Sequence, residues 1–195
     1  MQDIHQVVHL CQKGQLDAFA TLFSQYQNRV YDLACAILRD EKGAEDVVQD
    51  TFLAVFQKID RFQGESAFET WLTAIAVNQC RRRQRKRKLR QVFSLEQLSP
   101  RRLLRLSQRE ERVGEIVHSR QRRQSLWDLV DQLPERLRLP LLLRYRYGLA
   151  CGDIATVLDL RTGTIYQQLH EGRGRLQRMA KQQEDGLPAT AKLTV

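Results

Sequence analysis

The sequence predicts an all-α protein of two small helical domains joined by a basic linker. Three observations lead there. Strand-like alternation is nearly absent, apolar residues recur at three- and four-residue steps, and positive charge is concentrated in one internal strip. The boundaries follow these changes of pattern. Residues 1–90 make the first domain, 91–124 the linker, 125–183 the second domain, and 184–195 a flexible tail carrying Gly186 and Pro188 with little apolar content.

In the first domain, Leu16, Phe19, Leu22, Phe23, Tyr26, Val30, Leu33, Ile37 and Leu38 fall on one face of a helix over 16–38. The stretch Arg39-Asp40-Glu41-Lys42-Gly43 reads as the break after it. A second helix then repeats Val47/Val48, Thr51/Phe52 and Val55/Phe56 every four residues. Ser66-Ala67-Phe68-Glu69 fits a capping box, in which Ser66 and Glu69 each satisfy an orphan backbone donor at the start of a third helix. Phe68, Trp71, Leu72 and Ile75 give that helix its core side. The run Arg81-Arg82-Arg83-Gln84-Arg85-Lys86-Arg87-Lys88 ends the apolar pattern, and Ser99-Pro100 breaks the polar segment beyond it.

Order resumes in the second domain with Leu126, Trp127, Val130 and Leu133, a short amphipathic helix ending near Pro134. A leucine-rich helix over 135–147 follows, closed by Gly148 as its C-cap. Two more helices, 153–160 and 164–180, flank a tight turn at Leu160-Arg161-Thr162-Gly163-Thr164, where Gly163 permits the reversal and Ala155 a close crossing. This is the pattern of a helix-turn-helix, whose second helix enters the major groove by its N-terminal end.

The distribution of charge is more informative than its total of +9. From Arg81 to Arg123 there are sixteen basic and four acidic residues, a net of +12, which leaves 9 − 12 = −3 for the rest. A localised cationic strip suits a polyanion such as nucleic acid. Cys11, Cys35, Cys80 and Cys151 stand far apart without a CxxC pair, so no disulfide framework is expected and Cys35 reads as a core residue. His5, His9 and Cys11 read as polar residues of a frayed helix rather than metal ligands, and no metal or cofactor is expected. No apolar run reaches the ~20 residues of a membrane span, and no signal peptide is visible. A cytoplasmic protein without membrane insertion or a small-molecule substrate is the expectation.

Three constellations carry the functional reading. Thr162 and Thr164 stand where a helix N-terminus binds phosphates, and Tyr166, Gln167 and His170 follow toward bases or backbone. Asp46, Gln49 and Asp50 share one helix face opposite the valines, either an ordinary solvated face or a surface that repels DNA and docks a protein. Asn78 sits where the apolar pattern meets Arg81, Arg82 and Arg83, an amide able to read base edges beside guanidiniums for phosphates. Phe62 nearby adds a ring on which an unpaired base could stack.

These segments, in this order and spacing, resemble the small bacterial sigma factors of the extracytoplasmic-function group. GAEDVVQDTFLAVFQKIDRFQGESAFETWLTAIAVNQCRRR is similar to their region two, and LVDQLPERLRLPLLLRYRYGLACGDIATVLDLRTGTIYQQLHEGRGRL to their region four. The resemblance implies a sigma factor that binds core RNA polymerase and directs promoter recognition and transcription initiation. It makes 1–90 a region-two domain and 125–183 a region-four domain. It also implies that Asp46, Gln49 and Asp50 bind the coiled coil of the polymerase clamp. Phe62, Asn78, Arg81, Arg82 and Arg83 would engage the minus-ten element. Thr162, Thr164, Tyr166, Gln167, His170 and Arg173 would read the minus-thirty-five element. It permits an anti-sigma factor as a further partner and requires no catalytic residue, since polymerase supplies the chemistry.

The chain departs from the family pattern in three ways. Tyr166, Gln168 and Glu171 stand where the recognition helix usually carries arginines, which predicts weaker phosphate attraction. Gly172 and Gly174 each cost about 1 kcal/mol relative to alanine and predict a loosened C-terminal half of that helix. The linker is unusually basic, with Arg81 to Arg90 placed to replace the missing charge. The alternative is a helix-turn-helix regulator with a basic DNA-binding arm that acts without polymerase. An enzyme would need a nucleophile beside a base or clustered carboxylates, and Asp46 with Asp50 is insufficient.

Overall fold

The structure is a computed structural model that describes residues 4–95 and 126–185, with side chains given outside 90–95 and 183–185. The bulk of the expected linker and the tail beyond residue 185 lie outside the described residues. The chain divides into two compact units, the first built on α1 to α4 and the second chiefly on the helices that follow. Every regular element among the described residues is helical.

In the first unit, α1 (Ile4–Gln12) packs on α2 (Leu16–Leu38), and α2, α3 (Glu41–Lys58) and α4 (Phe68–Leu95) pack on one another. The periodic apolar face of α2 supplies the centre of the core. Leu22, Tyr26, Val30, Leu33 and Ile37 are buried against Val47, Phe52 and Val55 of α3 and against Leu72, Ala76, Val77 and Cys80 of α4. Fully burying side chains of this size stabilises the unit by about 1.5–3 kcal/mol each. Phe19 and Phe23 close the α2–α3 seam by edge-on contacts with Phe52, at 6.4 and 4.7 Å between ring centres. Cys35 lies at the rim and is half-buried; Cys11 and Cys80, the latter at the border of the arginine run, are the core thiols of the first unit.

The turn after α2 is shorter than its sequence suggests. Arg39 adopts a left-handed conformation (φ 54°) and donates its N–H to Cys35 O at 2.8 Å, and α3 begins two residues later. Gly43 is therefore inside α3, not in a loop. A Cβ at Gly43 would stand 2.7 Å from Asp40 Oδ2 and 3.1 Å from Arg83 Nε, so its bare Cα makes room for those side chains. The expected capping box also does not form. The Ser66 hydroxyl donates to Ala67 O at 3.4 Å, while Ala67 O accepts the Thr70 and Trp71 N–H groups, so the helix starts one residue later than the box requires. Glu69 instead pairs with Arg29 of α2 at 3.5 Å. Downstream, α4 carries the arginine run as unbroken helix to Leu95, past the expected boundary at residue 90.

The second unit holds α5 (residues 126–132), α6 (Glu135–Tyr145), α7 (Cys151–Leu158) and α8 (Thr162–Asp185). Leu137, Leu141 and Leu143 of α6, Ile154 and Val157 of α7, and Ile165 of α8 are fully buried. After α6, Gly148 takes the left-handed φ of 72° and Leu149 N–H returns to Leu143 O at 3.1 Å. The reversal between α7 and α8 rests on Asp159, left-handed at φ 54°, rather than on Gly163, which lies in the first turn of α8. At Gly172 and Gly174 the backbone stays helical, and α8 runs through both to Asp185. Gly172 is buried, and a Cβ there would stand 2.8 Å from Leu141 Cδ1. What Gly172 loses in helix propensity is offset by the close approach of α6 and α8 that it allows.

Candidate protein- and DNA-binding surfaces

Because Val47, Thr51, Phe52 and Val55 turn inward, α3 leaves Gln49 and Asp50 on its exposed side. Asp46 shares that side by its spacing and also reaches α4. Its carboxylate meets Arg83 Nη2 at 2.6 Å, with 47% of the Asp46 side chain and 37% of the Arg83 side chain still exposed. All three expected side chains thus lie on the outward side of α3, and Asp46 in addition bridges to α4. The same side of α3 exposes two large apolar groups, Leu53 (57%) and Phe56 (53%). Leu53 was not singled out in the sequence, and Phe56 was read with the core. The missed signal is spacing: Leu53 follows Gln49 by four residues and Asp50 by three, so it must share their face. The Phe56 ring rests edge-on against Phe19 at 5.2 Å while its far side meets solvent. This face can bind a protein through both carboxamide or carboxylate and apolar contact.

A second surface runs along α4. Phe62 leaves the 3-10 turn Ile59–Arg61 in extended conformation (φ −73°, ψ 110°). Its half-buried ring packs edge-on against Phe68 at 5.7 Å and tilted against Trp71 at 5.2 Å. From Trp71, residues Ile75, Asn78, Arg82 and Arg85 follow at steps of four, three, four and three, which places them in one stripe of the helix. Asn78, Arg82 and Arg85 are exposed. With a rise of 1.5 Å per residue, Asn78 lies about 10 Å along the axis from Trp71. Two motifs separate in sequence, the Phe62 loop and the Asn78 turn, are therefore brought onto one side. The stripe grades from aromatic to amide to guanidinium, an order suited to an unpaired base followed by phosphates.

The sequence-predicted arginines point to different sides of α4. Arg82 is exposed on this stripe, Arg81 is half-buried, and Arg83 turns toward α3. On the Arg83 side, Gln84 Nε2 donates to Ile37 O at 3.3 Å. There Leu38, Asp40, Arg83, Gln84, Lys86 and Arg87 line a pocket of about 240 Å³. Arg85, Lys86 and Arg87, part of the cationic strip noted in the sequence, are exposed.

The third surface is α8. Its N-terminus is capped by Arg161 O, which accepts Thr164 N–H at 2.9 Å and Ile165 N–H at 3.2 Å. Ile165 and Leu169 are buried, which turns Thr162, Tyr166, Gln167, His170 and Arg173 outward and leaves Thr164 half-buried at the edge. Thr162, Tyr166, His170 and Arg173 share one stripe by their spacing. Glu171 faces away from it. Arg136 of α6 donates both guanidinium nitrogens to the Glu171 carboxylate at 2.8 and 2.7 Å, and Arg175 adds a contact at 3.0 Å. The Arg136 hydrogen bonds hold the Glu171 carboxyl below its usual range, aided by the positive charges of Arg136 and Arg175. The acidic departure noted in the sequence is therefore neutralised within the unit and does not oppose DNA at the exposed stripe.

Elsewhere the described residues form no cluster of three His, Cys, Asp or Glu side chains able to hold a metal ion. His5 and His9 are exposed, whereas Cys11 points into the core. No helix among the described residues is long and apolar enough to cross a membrane.

Comparison with known proteins bears on these surfaces. Residues 22–90 match the family model Sigma-70 region 2, and residues 123–176 match Sigma-70, region 4. The chain is 30% identical over 184 residues to the RNA polymerase sigma-H factor of Pseudomonas aeruginosa, covering 86% of this chain and 89% of that one. It is 29% identical over 176 residues to the ECF RNA polymerase sigma factor SigW of Bacillus subtilis, covering 87% and 92%. In fold it is similar to the sigma factor RpoE solved with the anti-sigma factor NepR from Bartonella quintana, at 24% identity. That likeness has a TM-score of 0.65 and covers 84% of this chain and 96% of the other. CnrH, solved with the cytosolic domain of CnrY, gives a TM-score of 0.62 at 20% identity, covering 90% and 95%.

Proposed function

The chain belongs to the extracytoplasmic-function sigma factors of RNA polymerase, and from that premise we propose a division of labour among its three surfaces. A sigma factor binds core polymerase and directs it to promoters. Asp46, Gln49 and Asp50 grip the coiled coil of the polymerase clamp. The α4 stripe engages the minus-ten element: a base leaves the stack beside Phe62, Asn78 reads an edge, and Arg81, Arg82 and Arg83 hold the backbone. Unstacking a base costs a few kcal/mol, and stacking and hydrogen bonds return it. Thr162, Thr164, Tyr166, Gln167, His170 and Arg173 of α8 read the minus-thirty-five element as duplex.

The observation that carries this reading is the shared side of α4, where the Phe62–Trp71 aromatic pair continues into Asn78 and Arg82. The domain plan proposed with it is region two over 1–90, a basic linker over 91–124, region four over 125–183 and a tail over 184–195. The chain acts in the cytoplasm, without a catalytic residue or cofactor of its own. A relative in fold was solved with an anti-sigma factor, and a partner of that kind fits this chain too.

The test is transcription in vitro from a promoter library, with core polymerase alone, with the chain, and with chain variants. Addition of the chain should switch on a defined promoter set, and Asn78→Ala should lose those starts while still assembling with core. Binding of duplex operators by the chain alone, with no affinity for core enzyme, would instead establish the polymerase-independent regulator.

A further inference from the structure

Helix α1 lies outside the matched region-two segment, which begins at residue 22. It nevertheless reaches the loop that carries Phe62. Gln12, the last residue of α1, extends its side-chain amide to two backbone oxygens some fifty residues away. Gln12 Nε2 donates to Ile59 O at 3.0 Å and to Phe62 O at 2.9 Å. Ile59 O also accepts Phe62 N–H at 3.2 Å, so Gln12 closes the 3-10 turn from outside. The base of this arm is fixed, since Val7, Val8 and Cys11 of α1 are buried.

We infer that Gln12 is a positioning residue for promoter-strand recognition, holding the backbone of the Phe62 loop while Phe68 and Trp71 hold its ring. The inference rests on the reading of that loop as part of the minus-ten site. Its chemistry is restrictive. Both partners are carbonyl oxygens, so the group facing them must donate twice, which a carboxamide nitrogen or an ammonium can do and a carboxylate or thioether cannot. A receptor for an unstacked base must be held to a fraction of an ångström, and a loop tethered only by its ring could shift along the helix face. With its carbonyl tied to α1 and its ring to α4, Phe62 is fixed from both ends.

The test uses holoenzyme assembled from core polymerase and the full chain. The probe is a pool of single-stranded DNA with a randomised stretch, sequenced after selection. Phe62→Ala should flatten the wild-type preference at one base position. Gln12→Met and Gln12→Glu should weaken preference at that same position by about three- to tenfold, and Gln12→Lys should restore it. Core affinity should stay within about twofold throughout, and Gln12→Met added to Phe62→Ala should cause no further loss. If Phe62→Ala leaves the preference unchanged, the minus-ten reading itself falls, and this inference with it. If Phe62→Ala flattens the preference and the Gln12 variants do not, only the inference is overturned. An equal fall in core affinity and DNA preference would make Gln12 a general support of the fold and overturn it as well.

Discussion

Arg83 of α4 and Asp46 of α3 are joined by an ion pair of 2.6 Å, so a carboxylate on the helix proposed to face polymerase holds a guanidinium on the helix proposed to face DNA. The pair is part-exposed, and its direct worth is at most about 1 kcal/mol. Its effect is positional, setting the spacing of two working helices. Asp46→Asn and Arg83→Gln should each weaken promoter complexes, and their combination should fall short of additive by about 0.5 kcal/mol. Core affinity should drop far less for Asp46→Asn than for Asp50→Lys. Strictly additive losses in a double-mutant cycle would show that the two residues act apart.

The two glycines of α8 should respond in opposite ways to alanine. Gly174 has open space where a Cβ would go, so Gly174→Ala should stabilise the second unit by up to about 1 kcal/mol through helix propensity. At Gly172 the same gain meets buried Leu141 at 2.8 Å, and overpacking of this kind costs about 1–3 kcal/mol. Gly172→Ala should therefore lower the melting temperature. Thermal unfolding of both variants, side by side, decides the matter.

Acid should act on the Arg136–Glu171 pair in a defined direction. The Glu171 carboxyl is held below its ordinary value of 4.5, chiefly by the Arg136 hydrogen bonds. A depressed carboxyl contributes stability above the ordinary value and loses it as the pH falls through the lowered one. The stability gap between wild type and Arg136→Gln should thus be constant at neutral pH and shrink below about 4.5. Trp127 fluorescence in a Trp71→Phe background reports the second unit. A gap that widens in acid would contradict the assignment.

Thiol chemistry offers a check on the core. Burial pushes the Cys80 thiol up to about 12 and raises Cys11 as well, so neither presents much thiolate at neutral pH. Cys35 and Cys151 are half-buried. Alkylation of the native chain should label Cys35 and Cys151 at least about tenfold faster than Cys80, as read by peptide mass. Early labelling of Cys80 would mean that α4 does not pack as described.

The helices themselves were legible because a buried stripe imposes its period on the sequence; the α2 pattern over 16–38 and the helix Leu16–Leu38 coincide. The turns were less so. Gly43 and Gly163 read as turn glycines, yet both are helical, and the left-handed positions belong to Arg39 and Asp159. A glycine in sequence does not say whether it serves a backbone angle or a close approach. The ion pair of Asp46 with Arg83 was also hidden, because the arginine lies on another helix, and local spacing is blind to such partners. The grouping of Phe62 with Asn78 was suggested by residue chemistry alone. Their shared side depends on where the loop folds back, which only the packing of Phe62 on Trp71 reveals.

A last consequence follows from α4 being uninterrupted from Phe68 to Leu95. Such a rod works as a ruler whose marks cannot slide independently. Adding one alanine between Ile75 and Asn78 would turn everything downstream by about 100° and advance it by about 1.5 Å. The amide and guanidiniums would swing away from the side that carries Phe62 and Trp71, while the aromatic end stayed in place.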